Sequence, residues 1–361
     1  MWTPAHRRMI LPEELEGAGE ALRAARERWA RDDKDDTAHR LRWFGSILAL
    51  TVLYSFYQGW AQASGGSGLV SGVRTLLGSP YSGIALLMFV IFAFIPWYQA
   101  RKREKQLARW SEASITEIAP TLRFETWLTR QKAPLTRVFL GLMVLVALAQ
   151  LLAQVRTAGF GVVFSLLHNW DGTTAAGLVK DRYFGGEWWR LFTAPFLHGN
   201  VVHFLMNAAA LLYLGKRLEV FARWPHLVLV FLFSASVGGE ASARFLTTVS
   251  VGASGGLMGW LGFLMVFETL HKELVPRRAR RRLAAGVALT ALIGVIGYRY
   301  IDNAAHAGGL VAGMVYALIV FPPSSSPHRP RSTGTDRVVG GAGLAFLVVT
   351  ALFAVTRIMA G

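Results

Sequence analysis

Residues 136–154 read TRVFLGLMVLVALAQLLAQ, an almost uninterrupted apolar run. A helix that crosses a bilayer needs about 20 mostly uncharged residues, so a run of this kind decides the fold class. Comparable runs recur along the chain and predict an all-α polytopic membrane protein. Its predicted spans are Trp43–Ala61, Tyr81–Tyr98, Thr136–Gln154, Val201–Leu214, Leu227–Ala243, Ser254–Phe267, Ala284–Tyr298, Ala304–Phe321 and Val338–Val355.

The composition agrees with a membrane fold. Of the 361 residues 53% are apolar and only 17% are charged, whereas an average soluble domain is about 25% charged. So high an apolar fraction excludes a disordered chain. The chain has no cysteine, which excludes a disulfide-stapled module, a thiolate metal site and a cysteine nucleophile.

The basic residues predict an orientation in the membrane. The net charge of +16 comes from 38 Lys and Arg against 22 Asp and Glu, and such a balance is also found in nucleic-acid-binding proteins. Here, however, 30 of the 38 border the predicted spans on one side when the N-terminus is cytoplasmic. The positive-inside rule then predicts the N-terminus inside and the C-terminal end outside. We therefore expect membrane lipids as partners, and no nucleic acid.

Three polar clusters lie in or beside the predicted spans, where polar side chains are costly and need a partner or a function. Residues 196–207 read FLHGNVVHFLMN, and the four-residue spacing of His203 and Asn207 puts both on one face of a helix. Residues 251–259 read VGASGGLMG and place Ser254 at the start of a span. Both clusters contain groups that catalysis could use.

The third cluster, residues 301–313, reads IDNAAHAGGLVAG. In it His306 precedes Gly309 and Gly313, a small-xxx-small spacing that lets two helices approach closely. Under the predicted topology Ser254, His203 and His306 fall near the outer ends of their spans. We therefore expect them to share one site.

Each motif alone has other interpretations. The segment Gly252-Ala-Ser-Gly255 could be a packing element, His203 an interhelical hydrogen-bond donor and His306 the proton carrier of a transporter. A transporter should show inverted repeats and mid-span charges, and neither is clear here. A zinc site built from His198, His203 and His306 would lack the carboxylate or thiolate that commonly joins histidines. We therefore predict no metal and no cofactor.

Taken together, the clusters fit acyl transfer. A serine hydroxyl is a poor nucleophile unless a base accepts its proton, and neutral histidine suits that task near pH 7. Attack on an amide builds negative charge on the carbonyl oxygen, which needs fixed donors. His203 and Asn207 could supply such donors, and the backbone N–H of Ser254 sits at a helix N-terminus, where the dipole favours an anion.

Four segments together carry a resemblance to a known family. They are EWWRLFTAPFLH at 187–198, the pair His203 and Asn207, GASG at 252–255 and AHAGGLVAG at 305–313. In this order and at these separations the chain resembles the rhomboid family of intramembrane serine proteases, over about residues 136–321.

The resemblance implies roles for individual residues. It implies Ser254 as the nucleophile and His306 as the general base, a dyad that needs no acid. It also implies that His203 and Asn207 help to form the oxyanion hole, and that Trp189-Arg190 belongs to a motif of the first outer loop. We interpret Asp302, four residues before His306, as a helix cap and not as a third catalytic residue.

The resemblance and the predicted spans together give a domain organisation, in which nothing in the resemblance explains the two N-terminal spans. A six-helix rhomboid core at 136–321 carries two extra N-terminal spans and one C-terminal span. A cytosolic polar tail (1–42), the two additional spans (43–98) and a basic cytosolic linker (99–135) precede the core; a linker and the last span (322–361) follow it. In one departure, Met258 stands where some members have a tyrosine.

The expected function is that of a serine endopeptidase which cleaves within or beside the transmembrane helices of other proteins. Those helices and the surrounding lipids are the expected partners. The alternative is a catalytically silent rhomboid-like module that binds membrane proteins. Without an organelle-targeting signal, we expect the plasma membrane of a bacterium, with the active site toward the extracytoplasmic side.

Overall fold

The computed structural model describes residues 18–63, 66–107, 124, 126–159, 170–298 and 300–360. Within them all regular elements are helical, apart from one isolated bridge between Leu178 and Ser250. The prediction of an all-α protein is confirmed. The chain divides into two compact units, residues 1–122 with 292–299 and residues 123–291 with 300–361.

The first unit is built from one long helix and a broken helical segment. Its helices are α1 (Ala18–Ala61), α2 (Gly68–Gly78), α3 (Pro80–Phe89) and α4 (Ile95–Leu107), with a π-helical turn at Val90–Phe94 between the last two. The boundary predicted at residue 42 falls inside α1, because no proline interrupts these 44 residues. The change at residue 42 is therefore one of polarity along a single helix.

The second unit contains the three polar clusters. Its helices are α5 (Pro134–Ala158), α6 (Thr173–Ala176), α7 (Lys180–Phe184), α8 (Arg190–Thr193), α9 (Val201–Ala222), α10 (Trp224–Phe245), α11 (Ser254–Leu270), the first part of α12 (Arg277–Ile296), α13 (Asn303–Val320) and α14 (Gly334–Ala360). A 3₁₀ turn at Ala194–Phe196 follows α8. Residues 160–169, between α5 and α6, lie outside the described residues.

Several helices have the length and composition of membrane spans. Among the described residues α5, α10, α13 and α14 qualify alone, and residues 190–196 with α9 form a fifth crossing if this pair, bent by 91°, is one span. The apolar helix α11 is shorter, at 17 residues. Four of the nine predicted spans thus correspond to single helices that are long and apolar enough to cross a membrane. The other five stay predictions.

Helices α11 and α13 meet backbone to backbone through glycines. A Cβ atom at Gly309 would lie 2.0 Å from the carbonyl oxygen of Gly255, and one at Gly313 would lie 1.9 Å from that of Gly259. No side chain fits at either contact. The close approach predicted from the small-xxx-small spacing is confirmed.

Helix α11 lies in the core of this unit. Trp260, Phe263 and Phe267 are fully buried, and Trp260 Nε1 donates to the carbonyl oxygen of Leu227 at 2.9 Å. Near its far end, Glu268 forms a fully buried ion pair with Arg217 of α9. These contacts fix α11 against its neighbours, and with it the position of Ser254 at its N-terminus.

Candidate active site

The turn ahead of Ser254 is held by backbone hydrogen bonds to the segment between α5 and α9. Leu178 N–H donates to Ser250 O at 2.9 Å and Ser250 N–H to Leu178 O at 3.2 Å, while Gly252 N–H donates to Ala194 O at 2.9 Å. Gly252 has φ +117°, a conformation that glycine adopts at little cost. The chain thereby turns sharply into α11, which begins at Ser254.

His203 and Asn207 both face this turn. Helix α9 begins after Asn200, whose Oδ1 accepts the N–H of His203 at 2.9 Å as an N-cap. A Cβ atom built on Gly252 would lie 2.7 Å from His203 Cε1 and 3.6 Å from Asn207 Nδ2. The predicted common face of the two residues is thus turned toward the backbone two residues before Ser254.

The hydrogen bonds of His203 define which ring nitrogen is a donor. The N–H of Gly199 donates to His203 Nδ1 at 3.4 Å, which assigns the proton of the neutral ring to Nε2. That nitrogen is 2.8 Å from the Cβ position built on Gly252. Asn207 Nδ2 donates to the carbonyl oxygen of His203 at 3.1 Å and keeps a second N–H. Two side-chain donors therefore lie beside the turn.

Ser254 and His306 lie at the close contact between α11 and α13. A Cβ atom at Gly255, the residue after Ser254, would lie 3.6 Å from the carbonyl oxygen of Ala305, the residue before His306. Within the described part of the chain, Ser254 Oγ forms no hydrogen bond, and the buried Nδ1 of His306 has no partner either. His306 is also near enough to His203 for an electrostatic interaction. The four predicted site residues thus lie within the first two turns of their helices in one unit.

Asp302 caps α13. Its Oδ1 accepts the backbone N–H of Ala305 at 2.8 Å, as the cap interpretation predicted. Its Oδ2 accepts hydrogen bonds from the hydroxyls of Ser242 and Ser250. Both carboxylate oxygens are therefore bonded away from the His306 Nδ1 atom that a triad acid would contact.

Lys180 is a member of this network that sequence reasoning missed. Its Nζ donates to Ser250 Oγ at 2.5 Å across 70 residues of sequence, and the residue is only 5% exposed. Burial lowers the pKa of Lys180 to about 8, although the charge of Asp302 acts in the opposite direction. A lysine in a loop is ordinarily solvated, so no local pattern indicated its burial.

The segment between α5 and α9 is fixed by two buried polar side chains. Arg190, within the predicted Trp189-Arg190 motif, is fully buried and donates through Nη1 to the carbonyl oxygens of Gly177 at 2.8 Å and Thr174 at 3.0 Å. Gln150 of α5 accepts the N–H of His198 at 2.9 Å and donates to its carbonyl oxygen at 3.0 Å. A glutamine within an apolar run was the available signal for this pair of hydrogen bonds.

His198 and His203 contact each other through their rings. The rings of His198 and His203 meet edge to face with centroids 5.3 Å apart. Among the described residues, no group of three or more His, Cys, Asp or Glu side chains could hold a metal ion. In this part of the chain His198, His203 and His306 therefore do not form a set of zinc ligands.

Comparisons with known proteins connect this geometry to a family. Residues 185–323 match the family model of the rhomboid domain. The chain is 32% identical over 170 residues to RHOMBOID-like protein 4 of Arabidopsis thaliana, covering 43% of each protein. It is 30% identical over 146 residues to the rhomboid protease GluP of Bacillus subtilis, covering 40% of this chain and 29% of the relative.

Relatives named inactive are also similar. The chain is 30% identical over 174 residues to inactive rhomboid protein 2 of Homo sapiens, covering 46% of this chain and 20% of that protein. It spans less than half the length of these curated relatives. The domain match and the apolar helices together describe an integral multi-pass membrane protein.

Proposed function

The chain carries a rhomboid domain, and on this premise we propose that it is an intramembrane serine endopeptidase. One observation carries the proposal. The two donors of α9 lie against Gly252, two residues before Ser254, while α13 meets α11 at Gly255, one residue after it. These approaches support a site in which a nucleophile, a base and oxyanion donors would act around one half-buried hydroxyl.

In the proposed reaction Ser254 Oγ attacks the carbonyl carbon of the scissile peptide bond and passes its proton to His306. The tetrahedral intermediate collapses to an acyl-enzyme as His306 returns the proton to the leaving amine. A water molecule then hydrolyses the ester and restores Ser254. The unpartnered Nδ1 of His306 supports a dyad, because a triad acid would bond to that nitrogen.

Three donors would stabilise the negative charge on the carbonyl oxygen. The Nε2–H of His203 and the second N–H of Asn207 lie beside the turn. The backbone N–H of Ser254 is the first of α11, where the helix dipole also favours an anion. Preorganised donors of this kind commonly make the largest contribution to acyl-transfer catalysis.

The proposed substrates are transmembrane helices of other proteins. A helical backbone hides its carbonyl groups, so the cleaved segment should contain helix-weakening Gly, Ala, Ser or Pro residues. Deacylation needs water, which suits a site near the extracytoplasmic surface.

We further propose the plasma membrane of a bacterium as the location. The similar proteins come from plants, a bacterium and animals, and one of them is named mitochondrial, so they do not distinguish compartments.

The second candidate function is that of a silent module that binds membrane proteins. It is favoured by the similarity to two relatives named inactive rhomboid proteins. Ser254 and His306 are both present here, and we therefore prefer the enzyme.

A fluorophosphonate probe tests the proposal without knowledge of the substrate. The probe forms a covalent bond with an activated serine, so the full chain in lipid should be labelled at Ser254. Ser254→Ala and His306→Ala should abolish labelling, and Ser236→Ala, a change at a half-buried serine of α10, should keep it. A panel of single-span proteins then reports cleavage. Labelling that persists in Ser254→Ala would show that another serine is the nucleophile, and no labelling and no cleavage by the wild type would favour the binding module.

A further inference from the structure

A cavity of about 660 Å³ lies in the second unit, away from the candidate active site. It is formed by the residues before α5, the connection between α9 and α10, and the linker into α14. Six basic side chains line it: Arg130, Lys132, Arg223, Arg329, Arg331 and Arg337. We call it the basic cavity. Its volume is in the range of small-molecule sites, about 300–1,000 Å³.

Within the described part of the chain, the basic side chains of the cavity are not paired with acidic ones. None of the six forms an ion pair with an acidic side chain of the described residues. The acidic lining residue Glu219 is committed elsewhere, since its carboxylate accepts the N–H groups of Leu135 at 3.0 Å and Thr136 at 2.8 Å and the Thr136 hydroxyl. The like charges therefore repel one another at short range.

Two of the arginines are built into position. Arg223 lies between α9 and α10 with φ +74° and donates through Nε to the carbonyl oxygen of Pro330 at 3.2 Å. Arg329 donates through Nη1 to the carbonyl oxygen of Val220 at 3.1 Å and lies over the Trp127 ring. Burial and the neighbouring Arg223 both lower the pKa of Arg329. Each guanidinium keeps further N–H donors for a ligand.

We propose that the basic cavity binds a phosphate-bearing anion. A planar guanidinium donates two parallel hydrogen bonds to phosphate oxygens, and several arginines around one cavity suit a ligand with more than one anionic oxygen. The ligand also removes the repulsion among the six basic groups.

The position of the cavity suggests two sources of this phosphate. All three of its segments belong to the regions that the positive-inside rule assigns to the cytoplasm, next to the ends of membrane helices. The headgroup of an acidic lipid in the inner leaflet could enter from the membrane, because basic clusters at this surface attract such lipids. A soluble polyphosphate could enter from the cytoplasm.

The test uses the full chain in an uncharged detergent and two probes. Calorimetry measures binding of inorganic pyrophosphate, and native mass spectrometry measures retention of phosphatidylglycerol against phosphatidylcholine. The exposed pair Arg331→Gln/Arg337→Gln should weaken binding of the effective probe by at least about tenfold. The control Arg277→Gln/Arg281→Gln removes the same charge from exposed positions at the start of α12 and should bind as the wild type does.

The outcomes distinguish the two sources. Pyrophosphate binding that the cavity variant loses assigns a soluble ligand, and selective phosphatidylglycerol retention that it loses assigns a lipid. Arg223→Gln/Arg329→Gln should give the same loss. Absence of binding with both probes, or an equal loss in the control pair, would overturn the proposal.

Discussion

The Asp302 carboxylate accepts a hydrogen bond from the Ala305 backbone N–H at 2.8 Å, and so fixes the first turn of α13 directly ahead of His306. Its second oxygen is held by the hydroxyls of Ser242 and Ser250. The carboxylate therefore joins the start of α13 to the end of α10 and to the loop that leads into α11. The carboxylate forms no hydrogen bond with His306 Nδ1, although the two groups are close enough for an electrostatic interaction.

This role predicts that Asp302→Asn keeps most of the activity, because asparagine caps a helix about as well as aspartate. Asp302→Ala should lose the cap, at a cost of about 1 kcal/mol in the free energy of unfolding, and should lower turnover. Turnover and thermal unfolding at equal amounts of folded protein measure both effects, with the exposed Asp181→Asn as the charge-matched control. A fall of about 10⁴-fold for Asp302→Asn, as in a triad, would contradict the dyad.

The dyad predicts non-additive effects at Ser254 and His306. Ser254→Ala and His306→Ala should each remove nearly all turnover, and the double variant should be no slower than either, since the two groups act as one unit. The measurement is turnover of a single-span substrate in lipid, with Ser236→Ala as control. A double variant much slower than both single variants would mean that one residue acts without the other.

Asn207→Ala should lower kcat with little change in KM. The lost donor stabilises charge that develops only in the transition state, and removal of one oxyanion donor typically costs about 100- to 1,000-fold in turnover. Asn207 is nearly fully buried, so circular dichroism and thermal unfolding should accompany the kinetics. A raised KM with an unchanged kcat would assign Asn207 to substrate binding instead.

The buried Lys180 predicts a pH dependence of stability. Burial lowers its pKa to about 8, whereas in the unfolded chain it is about 10.4. Between these two values Lys180 binds more protons in the unfolded chain than in the folded one, so its contribution to the free energy of unfolding rises with pH. Below about pH 8 the lysine is charged in both states, and its destabilising effect on the folded state is fully present.

Thermal unfolding at pH 7 and pH 9.5 checks this contribution. The wild type should gain stability relative to Lys180→Met on going to the higher pH. The exposed Lys272→Met should follow the wild type at both pH values. Identical pH responses of wild type and Lys180→Met would show that the ammonium is not desolvated.

Gly309→Ala should destabilise the contact between α11 and α13. Its Cβ would lie 2.0 Å from the carbonyl oxygen of Gly255, and relief of such overpacking typically costs about 1–3 kcal/mol. Turnover should fall as well, because separation of the helices moves Ser254 away from His306. The control is Gly341→Ala in α14, where a Cβ meets nothing within 4 Å. Equal unfolding temperatures for the two variants would contradict the close contact.

The sequence by itself determined the features that depend on local pattern. The apolar runs indicated helices, because the bilayer and the helical rise set their length. The spacing of His203 and Asn207 indicated a common helical face, since a helix repeats every 3.6 residues. The Asp302 cap was predictable in the same way, because a capping side chain bonds to an N–H only a few residues along the chain.

The tertiary structure decided what depends on contacts between distant segments. It put the turn at Gly252 against His203 and the carbonyl group of Gly255 against Gly309. It also buried Lys180 against a serine 70 residues away. Packing of separate helices and loops creates these contacts. The periodicity and propensity of one segment do not indicate which other segment will pack against it. The basic cavity arose in the same way, because its arginines come from three segments that meet only in the folded chain.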